Sequence, residues 1–247
     1  MRPRRAAFTL VELLVVIGII AMLIGILLAV LGAAREAGKR VTCMSNMRQI
    51  TTAFLMYAQE HKFHLPRAAP ECTDSGVQPK PHDWVHWNYG RDIKQSAIAK
   101  YVPGFTGGLL ICPADPGTRL RDLGGWNVEG MYTFSYAMNM YMGDLNIGPL
   151  GERLLTRIRN SSEKILLVEE DFSSIDDGNW LANVGPNMNL LSVRHDRSKR
   201  NPTVLPAWSY VYVPPDSRMK GNAAFVDGHV AFVERSYAHD PAHYLPR

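Results

Sequence analysis

Residues 8–34, FTLVELLVVIGIIAMLIGILLAVLGAA, decide the architecture of this chain. From Leu13 to Ala34 there are 22 residues without a charge. As an α-helix they rise about 33 Å, enough to cross a hydrocarbon core of about 30 Å. Arg2, Arg4 and Arg5 precede the run. The positive-inside rule therefore puts the N-terminus in the cytoplasm and the rest of the chain beyond the membrane. A secretory signal shares the basic start, but its apolar stretch is shorter and ends at a small-residue cleavage site. Here the run continues into a helical pattern instead. One residue breaks it: Glu12, four positions after Phe8. A carboxylate costs about 2.5–3.5 kcal/mol at the centre of a membrane helix, less near an end. It either reaches the headgroups or has a partner.

The helical period persists past the apolar run. Cys43, Met47, Ile50, Phe54 and Tyr57 follow one another at spacings of four and three, which makes one apolar stripe. Arg35, Lys39, Arg40, Arg48, Gln49 and Glu60 fill the other faces, and Pro66 forbids continuation. A stripe of this kind is core packing. Residues 8–34 are thus expected to be a membrane and assembly helix, and 35–247 a globular domain built on its continuation.

The body carries strand signals. SSEKILLVEED (161–171) has an unbroken apolar centre and is expected to be a central strand. NAAFVDGHVAFV (222–233) places two apolar runs on either side of Asp227-Gly228, a hairpin. MYTFSYAMNMYM (131–142), AWSYVYV (207–213) and GGLLICPADPG (107–117) are further strand candidates, and QSAIAKYVPG (95–104) a short helix. The expected fold is α+β: a long N-terminal helix, transmembrane first and amphipathic second, packed on an antiparallel β-sheet.

Composition narrows the function classes. Hydrophobic residues make up 46% of the 247 and charged ones 20%, a globular balance. The formal charge is +4, but three arginines within residues 1–7 supply most of it. No basic stripe interleaved with aromatics follows, so no nucleic-acid partner is expected. Of the three cysteines, Cys43, Cys72 and Cys112, none forms a CxxC pair, which argues against a zinc ribbon or a thioredoxin-type site. In an exported body one disulfide and one spare thiol fit, with three pairings open. Cys43, on the helix, reads as a buried thiol.

Three constellations offer chemistry. His195, Asp227 and His229 are a candidate metal or hydrolytic site, although Asp-Gly is ordinary turn chemistry. EEDFSSIDDGN (169–179) is rich in oxygen ligands, with Glu170, Asp171, Asp176 and Asp177 as calcium candidates against a plain acidic loop. PKPHDWVHWNYG (79–90) sets Trp84 and Trp87 where a glycan-binding face or a small loop core would use them. No nucleophile elbow, metalloprotease helix or phosphate loop occurs, so no catalytic residue is assigned and an enzyme is not expected.

AFTLVELLVVIGII (7–20) resembles the N-terminal processing motif of type IV pilins and type II secretion pseudopilins. The resemblance implies cleavage by a prepilin peptidase between Ala7 and Phe8, removal of residues 1–7 as a cytoplasmic leader, and methylation of the new terminus. Glu12 then becomes the fifth mature residue. In that family its carboxylate pairs with the terminal ammonium of a neighbouring subunit. Ala7 stands where the family usually has Gly, and Ala29 where many members have Pro. The implied partners are other pilin or pseudopilin subunits, an inner-membrane assembly platform and an assembly ATPase. The implied location is the inner membrane, with a periplasmic body incorporated into an envelope filament. The second half resembles a pseudopilin-like group with a C-terminal processing-associated signature, His followed by Asp-Gly. His195, Asp227 and Gly228 match it, with 31 residues between His195 and Asp227 in place of a short gap. Its acidic loop is similar to the calcium-binding loop of major pseudopilins. The rival from another class is a monomeric membrane-anchored binding module using Trp84 and Trp87.

Overall fold

The computed structural model describes residues 10–69, 80–87, 91–115, 133–143, 153–171, 174–182, 189–196 and 218–247. Helix α1 runs Leu10–Glu60 and continues through Gly25 and Gly32. The chain divides into two compact units, with the boundary between Gly38 and Lys39. In the first unit the large apolar side chains from Leu10 to Leu31 are exposed. By length and composition this helix can cross a membrane. Glu12 lies exposed in its first turn, where the positive end of the helix dipole favours a carboxylate.

In the second unit the expected stripe is buried: Cys43, Met47, Ile50 and Phe54 have no exposure and Tyr57 almost none. Met47, Ile50 and Phe54 each contribute about 1.5–3 kcal/mol by leaving water. Cys43, Met47, Ile50 and Phe54 join Leu65, Trp84, Leu110, Tyr136, Met138 and Leu167 in one core cluster. Phe54 meets Trp84 edge to face at 5.5 Å.

The sheet has five strands: β1 (Tyr136–Asn139), β2 (Ile165–Glu169), β3 (Asn179–Trp180), β4 (Lys220–Phe225) and β5 (Val230–Glu234). Their order is β3-β1-β2-β4-β5, so β2 is central as expected. The α+β layout holds. The sheet, however, is mixed, because β1 and β3 run parallel. Short helices α2 (Met140–Gly143), α3 (Arg235–Ala238) and α4 (Pro241–Tyr244) complete it. Two sequence expectations change. GGLL (107–110) forms a turn of 3₁₀ helix rather than a strand, and 95–104 contributes only 3₁₀ turns. AWSYVYV lies outside the described residues.

The β2–β4 pairing contains a bulge. Ile165 pairs with Phe225 and Leu167 with Ala224, so β2 spends two residues where β4 spends one. The extra residue changes which face the rest of β2 presents. Ile165 packs with Ala223 and Phe225 on one side of the sheet. Leu167 packs on the other, with the helix stripe. Glu169 follows Leu167 at the strand period of two and shares its face.

The hairpin forms as read. Gly228 N donates to Phe225 O at 2.9 Å, and Gly228 has φ +96°, the left-handed conformation that a three-residue loop needs at its last position.

Behind the sheet His239 is buried and neutral. Its Nδ1 donates to Ala182 O at 3.1 Å and its Nε2 accepts from Leu191 N at 3.3 Å. A second ring proton would face the Leu191 N–H. Burial, with Arg235 nearby, holds its pKa down at about 4, against 6.5 for a free ring. The unfolded chain therefore binds the proton first as pH falls. The stability His239 contributes is full above pH about 6.5 and is lost progressively toward pH about 4, by roughly 3 kcal/mol at most. Urea midpoints at pH 7 and pH 4.5 should differ less in His239→Gln than in the parent. An equal difference in both would place the acid-sensitive group elsewhere.

Candidate functional site

Tyr136, Glu169 and Asn222 form a cross-strand row on β1, β2 and β4, on the face covered by α1. Cys43 of α1 sits over this row. Its Sγ lies 3.1 Å from Glu169 Oε2. It accepts from Tyr136 Oη at 3.3 Å and from Asn222 Nδ2 at 3.3 Å. Asn222 Nδ2 also reaches Glu169 Oε2 at 2.8 Å. Cys112, just after the 107–110 turn, approaches from the side. Its Sγ is 3.2 Å from His195 Nε2 and accepts from Ala114 N at 3.4 Å. His195 Nε2 is 3.4 Å from Glu169 Oε1. One ligand atom each from Cys43, Cys112, Glu169 and His195 lies within 4.8 Å of the other three, and all four residues are buried.

A charged shell surrounds them. Arg194 Nε is 3.1 Å from Glu169 Oε1, and its Nη1 is 2.5 Å from Asp115 Oδ2. Ser135 Oγ donates to Asp115 at 2.6 Å and accepts from Cys112 N at 2.9 Å. Burial opposes ionisation of Glu169, but Arg194 and His195 outweigh it and draw the carboxyl down to about 2. Burial likewise works against the His195 cation. Its hydrogen bonds to Cys112 and Glu169 prevail and raise it to about 9. Burial pushes the Cys43 thiol up, while hydrogen bonding from Cys43 and then His195 brings Cys112 down.

Of the residues singled out from sequence, His195 enters this cluster and Asp227 does not. Asp227 Oδ1 accepts from His229 N at 3.1 Å and contacts its ring Nδ1 at 2.6 Å, and the imidazole stacks on Phe225. These are turn contacts, and no hydrogen bond or ion pair joins His195 to Asp227. Ala7, Phe8 and Cys72 lie outside the described residues. In the acidic segment, Glu170 is fully buried and takes a hydrogen bond from Ser174. Burial, then Asp176 and Asp177, push its carboxyl well up. Asp171 faces Arg235 at 3.3 Å and Asp177 accepts from Asn179 N. Trp84 is core, with Nε1 donating to Gly178 O at 2.8 Å. Trp87 is half-buried and donates to Ala69 O at 3.1 Å. Neither indole N–H is left for a glycan. The convergence of Cys43, Cys112 and Glu169 on His195 was not readable from spacing, since no two of them are close in the chain.

Comparison with protein families bears on the other end of the molecule. Residues 2–28 match the prokaryotic N-terminal methylation motif. The chain carries a prepilin-type methylation motif. Residues 32–89 match a second family, described as protein of unknown function (DUF1559). The two matches together fit a pilin- or pseudopilin-like protein. The motif implies processing by a prepilin peptidase and assembly with other pilin subunits, and the apolar helix fits a single membrane anchor. No curated protein and no solved structure matches the chain significantly.

Proposed function

We propose that this chain is a structural subunit of an envelope filament of the type IV pilus or type II secretion kind. A prepilin peptidase cuts it between Ala7 and Phe8, and it polymerises through its apolar helix with its body on the periplasmic side. The observation that carries this reading is the methylation motif over residues 2–28, running straight into a helix whose large apolar side chains are exposed in a single copy. Such a surface needs lipid or other helices around it. Exchange of lipid for a helix bundle is the work done; the body has no catalytic role. The burial of Trp84 and the engagement of both indole N–H groups by backbone carbonyls remove support from a glycan-binding alternative.

Processing tests the reading directly. In membranes containing a prepilin peptidase the chain should shorten by the leader, and Ala7→Leu should block shortening because a bulky side chain replaces the small one before the cut. Cleavage of Ala7→Leu at the parental rate would contradict the assigned site.

A further inference from the structure

We infer that Cys43, Cys112, His195 and Glu169 form a closed binding site for one divalent d-block cation, with Zn²⁺ the best match. The donor set is two sulfurs, one imidazole nitrogen and one carboxylate oxygen, which suits Zn²⁺ in tetrahedral geometry and suits the hard cations Mg²⁺ and Ca²⁺ poorly. The donors come from four separate pieces of chain: helix α1, the segment after the 107–110 turn, strand β2 and the segment at 189–196. Their ligand atoms nevertheless converge within 4.8 Å. The Cys43 Sγ–Glu169 Oε2 and Cys112 Sγ–His195 Nε2 separations of 3.1 and 3.2 Å are close to the edges of a tetrahedron built on bonds of about 2.0–2.3 Å.

A second observation is independent of that convergence. Three donors are aimed at the two sulfurs: Tyr136 Oη and Asn222 Nδ2 at Cys43, and the Ala114 N–H at Cys112. Neutral thiols accept weakly. Donors trained on sulfur are the outer layer that holds and tunes metal-bound thiolates. Arg194 plays the matching part for the carboxylate and is itself fixed by Asp115.

A third observation is an orphaned polar atom within the donor set itself. Glu169 Oε1 is buried without an aligned hydrogen bond. It lies within ion-pair distance of Arg194 and His195 but receives no well-directed hydrogen. Such an atom costs about 1–3 kcal/mol and calls for an explanation such as an ion. Metal entry displaces the Cys43 and Cys112 thiol protons and the proton on His195 Nε2 to solvent. Two thiolates and one carboxylate then face the dication. The cation would tie α1 to the sheet and to both flanking segments.

The test uses the full chain in detergent micelles. After chelator treatment, Zn²⁺ alone should rebind at one equivalent per chain. Co²⁺ in its place should give thiolate-to-cobalt charge-transfer bands and intense tetrahedral d–d bands. Cys43→Ser and Cys112→Ser should each weaken Zn²⁺ binding by more than about 100-fold, while Asp227→Asn, outside the site, should leave it unchanged. Should the serine variants misfold by circular dichroism, the cobalt spectrum of the parent chain decides alone. Absence of binding, a cobalt spectrum without sulfur bands, or a Cys43–Cys112 disulfide in the freshly isolated chain would overturn the inference.

Discussion

Glu12→Gln should leave the body folded, the chain in the membrane and the leader cleaved, and should reduce filament incorporation to background. A carboxylate placed among lipid-facing leucines and valines is costly, by up to about 2.5–3.5 kcal/mol at the centre of a membrane helix. In the free subunit that cost is kept low, because Glu12 lies in the first turn near the interface and at the positive end of the helix. Entry into a bundle takes it away from water. In the proposed filament an ammonium on the cleaved Phe8 of an adjacent copy would offset the desolvation, and truncating one partner would strand the other, which costs about 3–5 kcal/mol for buried pairs. Gln removes the charge but keeps size and polarity, so it isolates the pairing. Sheared-filament assays against membrane-retained protein measure the outcome. Normal incorporation of Glu12→Gln would remove the pairing role.

The second large effect is expected at Arg194. Its guanidinium lies between Glu169 and Asp115, whose side chains are 0% and 1% exposed. Arg194→Met fills much of the same volume but leaves two carboxylates without their shared cation. A loss of about 3–5 kcal/mol in unfolding free energy follows, read as a lower urea midpoint with an unchanged slope. If the unfolding free energy falls by less than about 1 kcal/mol, the guanidinium is exchangeable with solvent and does not organise the shell.

What could be read from sequence was whatever depends on near neighbours. The 43-47-50-54-57 stripe is set by helical period alone, and every member is buried. The central strand at 165–169 and the Asp227-Gly228 hairpin follow from short apolar runs and local turn chemistry. The Phe8-to-Glu12 spacing is likewise local. What could not be read depends on tertiary placement. Glu169 belongs by sequence to an acidic stretch, yet one bulge residue between Ile165 and Leu167 turns it toward Cys43. Cys43 and Cys112 are 69 positions apart, so no ligand-spacing rule links them. His195 was singled out for the Asp227 hairpin and instead contacts Cys112 and Glu169. The parallel pairing of two-residue β3 with β1 has no periodic signature at that length.

The mass of the protein extracted from native membranes probes the filament assignment most directly. A chain lacking residues 1–7, starting at Phe8 and heavier by one methyl group, is the predicted result. A chain that retains Met1 and is recovered only as a monomer would contradict it.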